Sequence, residues 1–98
     1  MNANNTPAAE PRYETRAVLA GAYRSAKAIA ASTLTHLYDT QSEVVPPEGS
    51  EGVSMCRRAK NLADRYALSD EARAARPTCD RCAVKWDALV AAGEIVAA

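Results

Sequence analysis

The chain has 98 residues, of which 48% are apolar, and its 12 basic and 12 acidic residues cancel at pH 7. A chain of this length forms one domain that buries about 60 to 65% of its unfolded surface, which excludes a large core. The balanced charge excludes any argument from bulk charge for nucleic acid, membrane or an acidic substrate. With no phenylalanine and one tryptophan, the domain is expected to draw stability from a metal, a partner or self-association.

The first residues, MNANNTPAAEP, lack the basic start and apolar run of a secretory signal. No stretch approaches the ~18 consecutive apolar residues of a membrane span. Three cysteines are an odd number, which suits a disulfide framework poorly and favours metal binding or redox chemistry. We therefore expect a cytoplasmic protein.

Residues 1–11 show no hydrophobic periodicity and are expected to form a flexible N-terminal arm. From Arg12 to about Ala31 the apolar residues recur at three- and four-residue spacings, which predicts an amphipathic N-terminal helix. Its basic residues share one arc of the helix: Arg12, Arg16, Arg24 and Lys27.

Residues 33–56 predict a short, loose β-hairpin. STLTHLYD alternates and contains β-branched threonines, EVVPPEGSEG breaks the chain, and GVSMC returns as a second strand. A first helix that continues through His36 is the alternative, because residues 28–35 contain no helix breaker.

Two further helices follow the hairpin. Ser69 is a suitable N-cap for a short helix that Pro77 closes. The last helix begins near Asp80 to Cys82 and runs to Ala92, where Gly93 provides a stop. Its inward residues are Trp86, Leu89 and Val90.

These elements predict a small, mainly helical α+β fold. Residues 12–93 form a single domain, and residues 94–98 form a C-terminal tail.

The chain offers one set of four zinc ligands: His36, Cys56, Cys79 and Cys82. Zinc prefers four tetrahedral ligands drawn from thiolate and imidazole, and a CxxC step directs two sulfurs at one point. The positive end of the last helix would favour the thiolates. The alternative is that Cys56 is only a small core residue and His36 a surface or core residue.

Two catalytic interpretations are disfavoured. A dithiol oxidoreductase requires a βαβ frame, and residues 57–76 are too polar to supply one. The sequence PTCDRC is similar to half of the zinc deaminase motif. The position of the deaminase glutamate, two residues after His36, is Tyr38. We therefore expect no enzymatic activity.

The run from HLYD through GVSMC to PTCDRCAVKW resembles short His...Cys...CxxC zinc-binding proteins of actinobacteria and actinobacteriophages, over about residues 27–92. The resemblance implies a structural zinc on the same four residues. If the chain is a phage product, its partner is expected to be a protein of the bacterial host. WhiB-like iron–sulfur regulators need four cysteines, which leaves an iron–sulfur cluster a minority option.

The leading functional hypothesis is a small non-enzymatic zinc protein that binds a protein partner or self-associates. The alternative is a nucleic-acid-binding or regulatory protein. It would use the basic arc of the first helix together with a second basic run: Arg57, Arg58, Lys60 and Arg65. A third interpretation is that these charges only solvate the surface and pair with acids.

Overall fold

The computed structural model describes residues 11–19 and 33–96 of the chain. In this part of the chain, two strands and two α-helices form a small α+β fold, as predicted. The elements in chain order are β1 (Tyr13–Arg16), β2 (His36–Asp39), a 3-10 turn (Arg65–Ala67), α1 (Asp70–Arg73) and α2 (Asp80–Ala91).

The strands pair antiparallel, with Tyr13 opposite Asp39 and Arg16 opposite His36. The prediction of a helix from Arg12 is therefore wrong at its start, and residues 20–31 of that helix lie outside the described residues. Tyr13 and Thr15 have side chains that favour a strand. Pairing with β2 satisfies the backbone groups of this segment, a long-range interaction that the local sequence does not reveal.

The strand predicted at His36 is confirmed, but its partner is different from the one predicted. GVSMC forms no strand and instead lies beside β2, where the Met55 N–H donates to the Leu37 carbonyl at 2.8 Å. Gly52 forms an isolated antiparallel bridge with Leu62. A Cβ at Gly52 would lie 2.4 Å from the Tyr38 ring, so this approach to the sheet requires glycine.

Both C-terminal helices begin where they were predicted, but α1 is a single turn that ends at Arg73, before Pro77. The Ser69 hydroxyl accepts from the Ala72 N–H and caps α1. Gly93 has a φ of 79° just beyond α2, a conformation that ends helices at low cost for glycine. Among the described residues, neither helix has the length and apolar character needed to cross a bilayer.

The core is thin, and cysteines lie at its centre. Leu37 and Cys82 are fully buried and Cys79 is 3% exposed. Half-buried side chains pack around this cluster, among them Trp86 and Ile95. Sulfur atoms thus occupy space that larger apolar side chains fill in most small domains.

A second buried group is an ion pair on β1. The Glu14 carboxylate lies 2.6 Å from an Arg16 guanidinium nitrogen, and both side chains are at most 9% exposed. Arg16 also donates to the Ala63 carbonyl and lies over the Tyr38 ring. These contacts compensate two charges whose removal from water is costly.

Candidate metal centre

The four predicted ligands come together in one cluster. One ligand atom from each of His36, Cys56, Cys79 and Cys82 lies within 4.8 Å of all the others. His36 is the first residue of β2, and Cys79 and Cys82 stand at the start of α2. Cys56 comes from the loop that runs beside β2. Three separate parts of the chain therefore meet at one point.

The distances in this cluster match the edges of a coordination tetrahedron. The His36 Nδ1 atom lies 3.7 Å from the Cys56 sulfur and 3.8 Å from the Cys82 sulfur. The Cys56 and Cys79 sulfurs are 4.0 Å apart. Zn–S bonds of about 2.3 Å in a tetrahedron separate two sulfurs by about 3.8 Å. The three cysteines are free thiols, and these three distances are compatible with ligands around a shared ion.

A pair of threonines aligns the first and third ligands. The Thr35 N–H donates to the Thr78 hydroxyl at 2.8 Å, and the Thr78 N–H donates to the Thr35 hydroxyl at 2.9 Å. The Cys79 N–H also donates to the Thr35 carbonyl. Because each threonine directly precedes a ligand, this clamp holds His36 and Cys79 beside each other. Sequence reasoning missed it, since nothing local links these two threonines.

A tight turn at residues 54–59 presents Cys56. The Arg57 N–H donates to the Ser54 carbonyl, and the Ala59 N–H donates to the Ser54 hydroxyl at 3.1 Å. That hydroxyl also lies 3.1 Å from the Cys56 sulfur. Arg57 adopts a φ of 64°, an uncommon value for a residue with a side chain. The turn brings the chain back after Cys56, so that its sulfur faces β2.

The electrostatics of the cluster suit a cation. Burial lowers the pKa of His36, which keeps its imidazole neutral and able to ligate. Burial raises the pKa of the Cys82 thiol to about 12, so this thiol stays protonated at neutral pH unless a positive charge is nearby. A metal ion held by these four residues would supply such a charge and would favour the thiolate.

Cys56 differs from Cys82 in its hydrogen bonds. Burial by itself would raise the pKa of Cys56, but hydrogen bonds with the Ser54 side chain, the Arg58 backbone and the Cys82 and Cys79 thiols outweigh it and lower the pKa. These hydrogen bonds favour the thiolate form of Cys56, whereas burial favours the thiol form of Cys82.

In the described part of the chain, the predicted basic contact residues divide into two groups, one paired with acids and one exposed. Arg12 forms an ion pair with Asp39 at 3.1 Å, Arg16 is buried against Glu14, and Arg65 lies 3.7 Å from the other Glu14 oxygen. Arg24 and Lys27 lie outside the described residues. The remaining three, which we call the basic turn, are exposed: Arg57, Arg58 and Lys60.

Comparison with known proteins returned no relative for this arrangement. The sequence matches no protein-family model, no curated protein and no solved structure. The interpretation of the cluster therefore rests on its own geometry.

Proposed function

We propose that this chain is a small zinc-binding protein in which the metal is structural. The observation that supports this is the cluster itself: one imidazole nitrogen and three sulfurs at tetrahedral spacing. His36 Nδ1 and the sulfurs of Cys56, Cys79 and Cys82 would hold the ion. Zinc supplies positive charge to the thiolates and crosslinks the strand, the turn and the helix.

The ligand set favours a structural role over catalysis. Catalytic zinc sites keep one position open for water or substrate, whereas structural sites close all four with protein ligands. His36, Cys79 and Cys82 are buried, which leaves little access for a substrate. We therefore propose a non-enzymatic protein. Its free thiols suit the reducing cytoplasm, where zinc rather than a disulfide holds such a site.

A zinc-stabilised domain of this size is suited to binding another macromolecule. Its exposed surface includes Val45, which is 85% exposed, and Tyr66, which is 80% exposed. We propose that the domain binds a protein partner or a second copy of itself. The sequence resemblance to actinobacterial and phage zinc proteins would place that partner in a bacterial host.

Metal analysis tests the zinc proposal. Protein purified under reducing conditions is expected to contain one zinc per chain, and replacement by cobalt is expected to give the strong visible absorption of a tetrahedral site with thiolate-to-metal charge transfer. The Cys82→Ser variant should lose both signals. Asp87→Asn, which alters an exposed acid outside the cluster, is the matched control and should keep them. Metal content equal in Cys82→Ser and the wild type would contradict the proposal.

The basic turn supports a second candidate function, the binding of nucleic acid. Its three cations are exposed and lie within four residues of sequence, and cations of this kind bind phosphates with an affinity that falls steeply with salt.

A gel-shift titration tests this second function. If it holds, replacing Arg57, Arg58 and Lys60 by alanine should weaken binding to single- and double-stranded oligonucleotides by at least about tenfold at low salt. The matched control replaces three exposed cations elsewhere, Arg76, Arg81 and Lys85. An equal effect of both triple variants, or no shift at low salt, would reject the basic turn as a nucleic-acid site.

A further inference from the structure

A groove of about 580 Å³ lies between the proline-containing loop and the basic turn. Its apolar lining comes from residues 44–47 (VVPP) and from Val53, and its charged lining comes from Arg57 and Lys60. An apolar floor with a few charged groups at one side is typical of peptide- and ligand-binding surfaces. The zinc cluster does not include any of these residues.

Hydrogen bonds hold the two walls of the groove together. The Ser50 hydroxyl is 2.8 Å from the Pro47 carbonyl and 3.2 Å from the Lys60 carbonyl. Next to it, the Glu51 N–H donates to the Leu62 carbonyl, and the Leu62 N–H donates to the Gly52 carbonyl. The two prolines restrict the loop further. The groove is therefore largely formed before any ligand arrives.

The charge at the groove is free to act on a ligand. Arg57 and Lys60 are exposed, and in the described part of the chain neither belongs to an ion pair. Glu43 and Glu48 flank the loop in sequence but do not line the groove. A ligand carboxylate would thus be favoured beside the basic turn and disfavoured at the ends of the loop.

We propose that this groove binds an extended peptide segment of a protein partner, in which an apolar side chain stands next to a carboxylate. The apolar side chain would lie against Val45, Val53 and the prolines, and the carboxylate would accept hydrogen bonds from Arg57 and Lys60. No aromatic side chain lines the groove, which disfavours the base stacking that single-stranded nucleic acid requires. The inference rests on the proposed function, since the zinc ligand Cys56 directly precedes Arg57.

The test is an amide-shift titration of the zinc-loaded protein by NMR, with three capped peptides as probes. They carry leucine followed by glutamate, leucine followed by lysine, or glycine followed by glutamate. The first peptide is expected to shift the amides of the groove, and the other two are expected to bind at least about fivefold more weakly. Arg57→Glu and Lys60→Glu should each weaken the binding of the first peptide by about fivefold. Lys85→Glu, which reverses an exposed charge on α2 outside the groove, should leave the affinity for the first peptide unchanged.

Three results would overturn the proposal. They are no shift at millimolar peptide, equal binding of all three peptides, and stronger shifts of the same amides by an oligonucleotide than by the first peptide. Zinc content and spectral dispersion are measured on the same sample. A folded, zinc-containing protein that ignores the peptide refutes the groove alone, whereas a folded protein without zinc refutes the structural zinc site.

Discussion

Removal of zinc from the purified protein at neutral pH, with a reductant present, is expected to unfold it. The buried core is centred on Leu37, Cys79 and Cys82. Without the metal, three thiols and an imidazole would meet beside this core, and its apolar packing is too small to compensate for the loss of the ion. A structural zinc contributes on the order of 10 kcal/mol of apparent binding free energy. That is comparable with the roughly 5 to 15 kcal/mol by which small domains are stable at all. Far-UV circular dichroism and the dispersion of amide resonances measure the loss.

Reversibility separates loss of the ion from damage by the chelator. Returning one equivalent of zinc should restore the dispersed spectrum, because the ligands remain reduced, whereas magnesium should not, since it prefers oxygen ligands. A metal-free protein that keeps its amide dispersion would show that the cluster is an ordinary thiol core and that zinc is not required for the fold.

The composition of the cluster could be predicted because ligand chemistry depends on residue type. Only three cysteines and one histidine are present, and the CxxC step fixes two ligands locally at the start of α2. The other two depend on the tertiary structure. His36 reaches the cluster through the Thr35–Thr78 clamp, which joins residues 43 positions apart. No local pattern encodes that pairing.

The errors in the predicted fold also arise from tertiary interactions that no local pattern encodes. Tyr13–Arg16 forms a strand because β2 is available to pair with it, whereas the helix was predicted there from the apolar spacing of residues 18–30. Arg16, the basic residue of β1, was predicted as a possible contact for a partner or nucleic acid. Arg16 instead compensates Glu14 in the interior, since the fold brings both side chains out of water together. Local periodicity could not reveal either interaction, whereas the Ser69 cap and the Gly93 stop act locally and were predicted correctly.

Substitution of His36 is expected to distinguish a metal ligand from a buried histidine with a packing role. His36→Ala removes the nitrogen that lies 3.7 and 3.8 Å from two cluster sulfurs. It should weaken zinc binding by at least about 100-fold, since even residues that only support a ligand contribute 10- to 100-fold. His36→Cys restores a four-ligand set and should recover most of the affinity. The Nδ1 atom faces the sulfurs, and it is the ring nitrogen nearer to the backbone, so a cysteine sulfur can approach the same position.

Competition with a chromogenic chelator measures these affinities, and cobalt spectra report the ligand set. With His36→Cys, the thiolate-to-cobalt charge-transfer band should grow by about one third, since four sulfurs replace three. His36→Gln serves as the matched control for packing, because it retains a polar side chain of similar reach but supplies no imidazole. Wild-type affinity in both His36→Gln and His36→Ala would show that three thiolates hold the metal and that His36 only fills the space beside it.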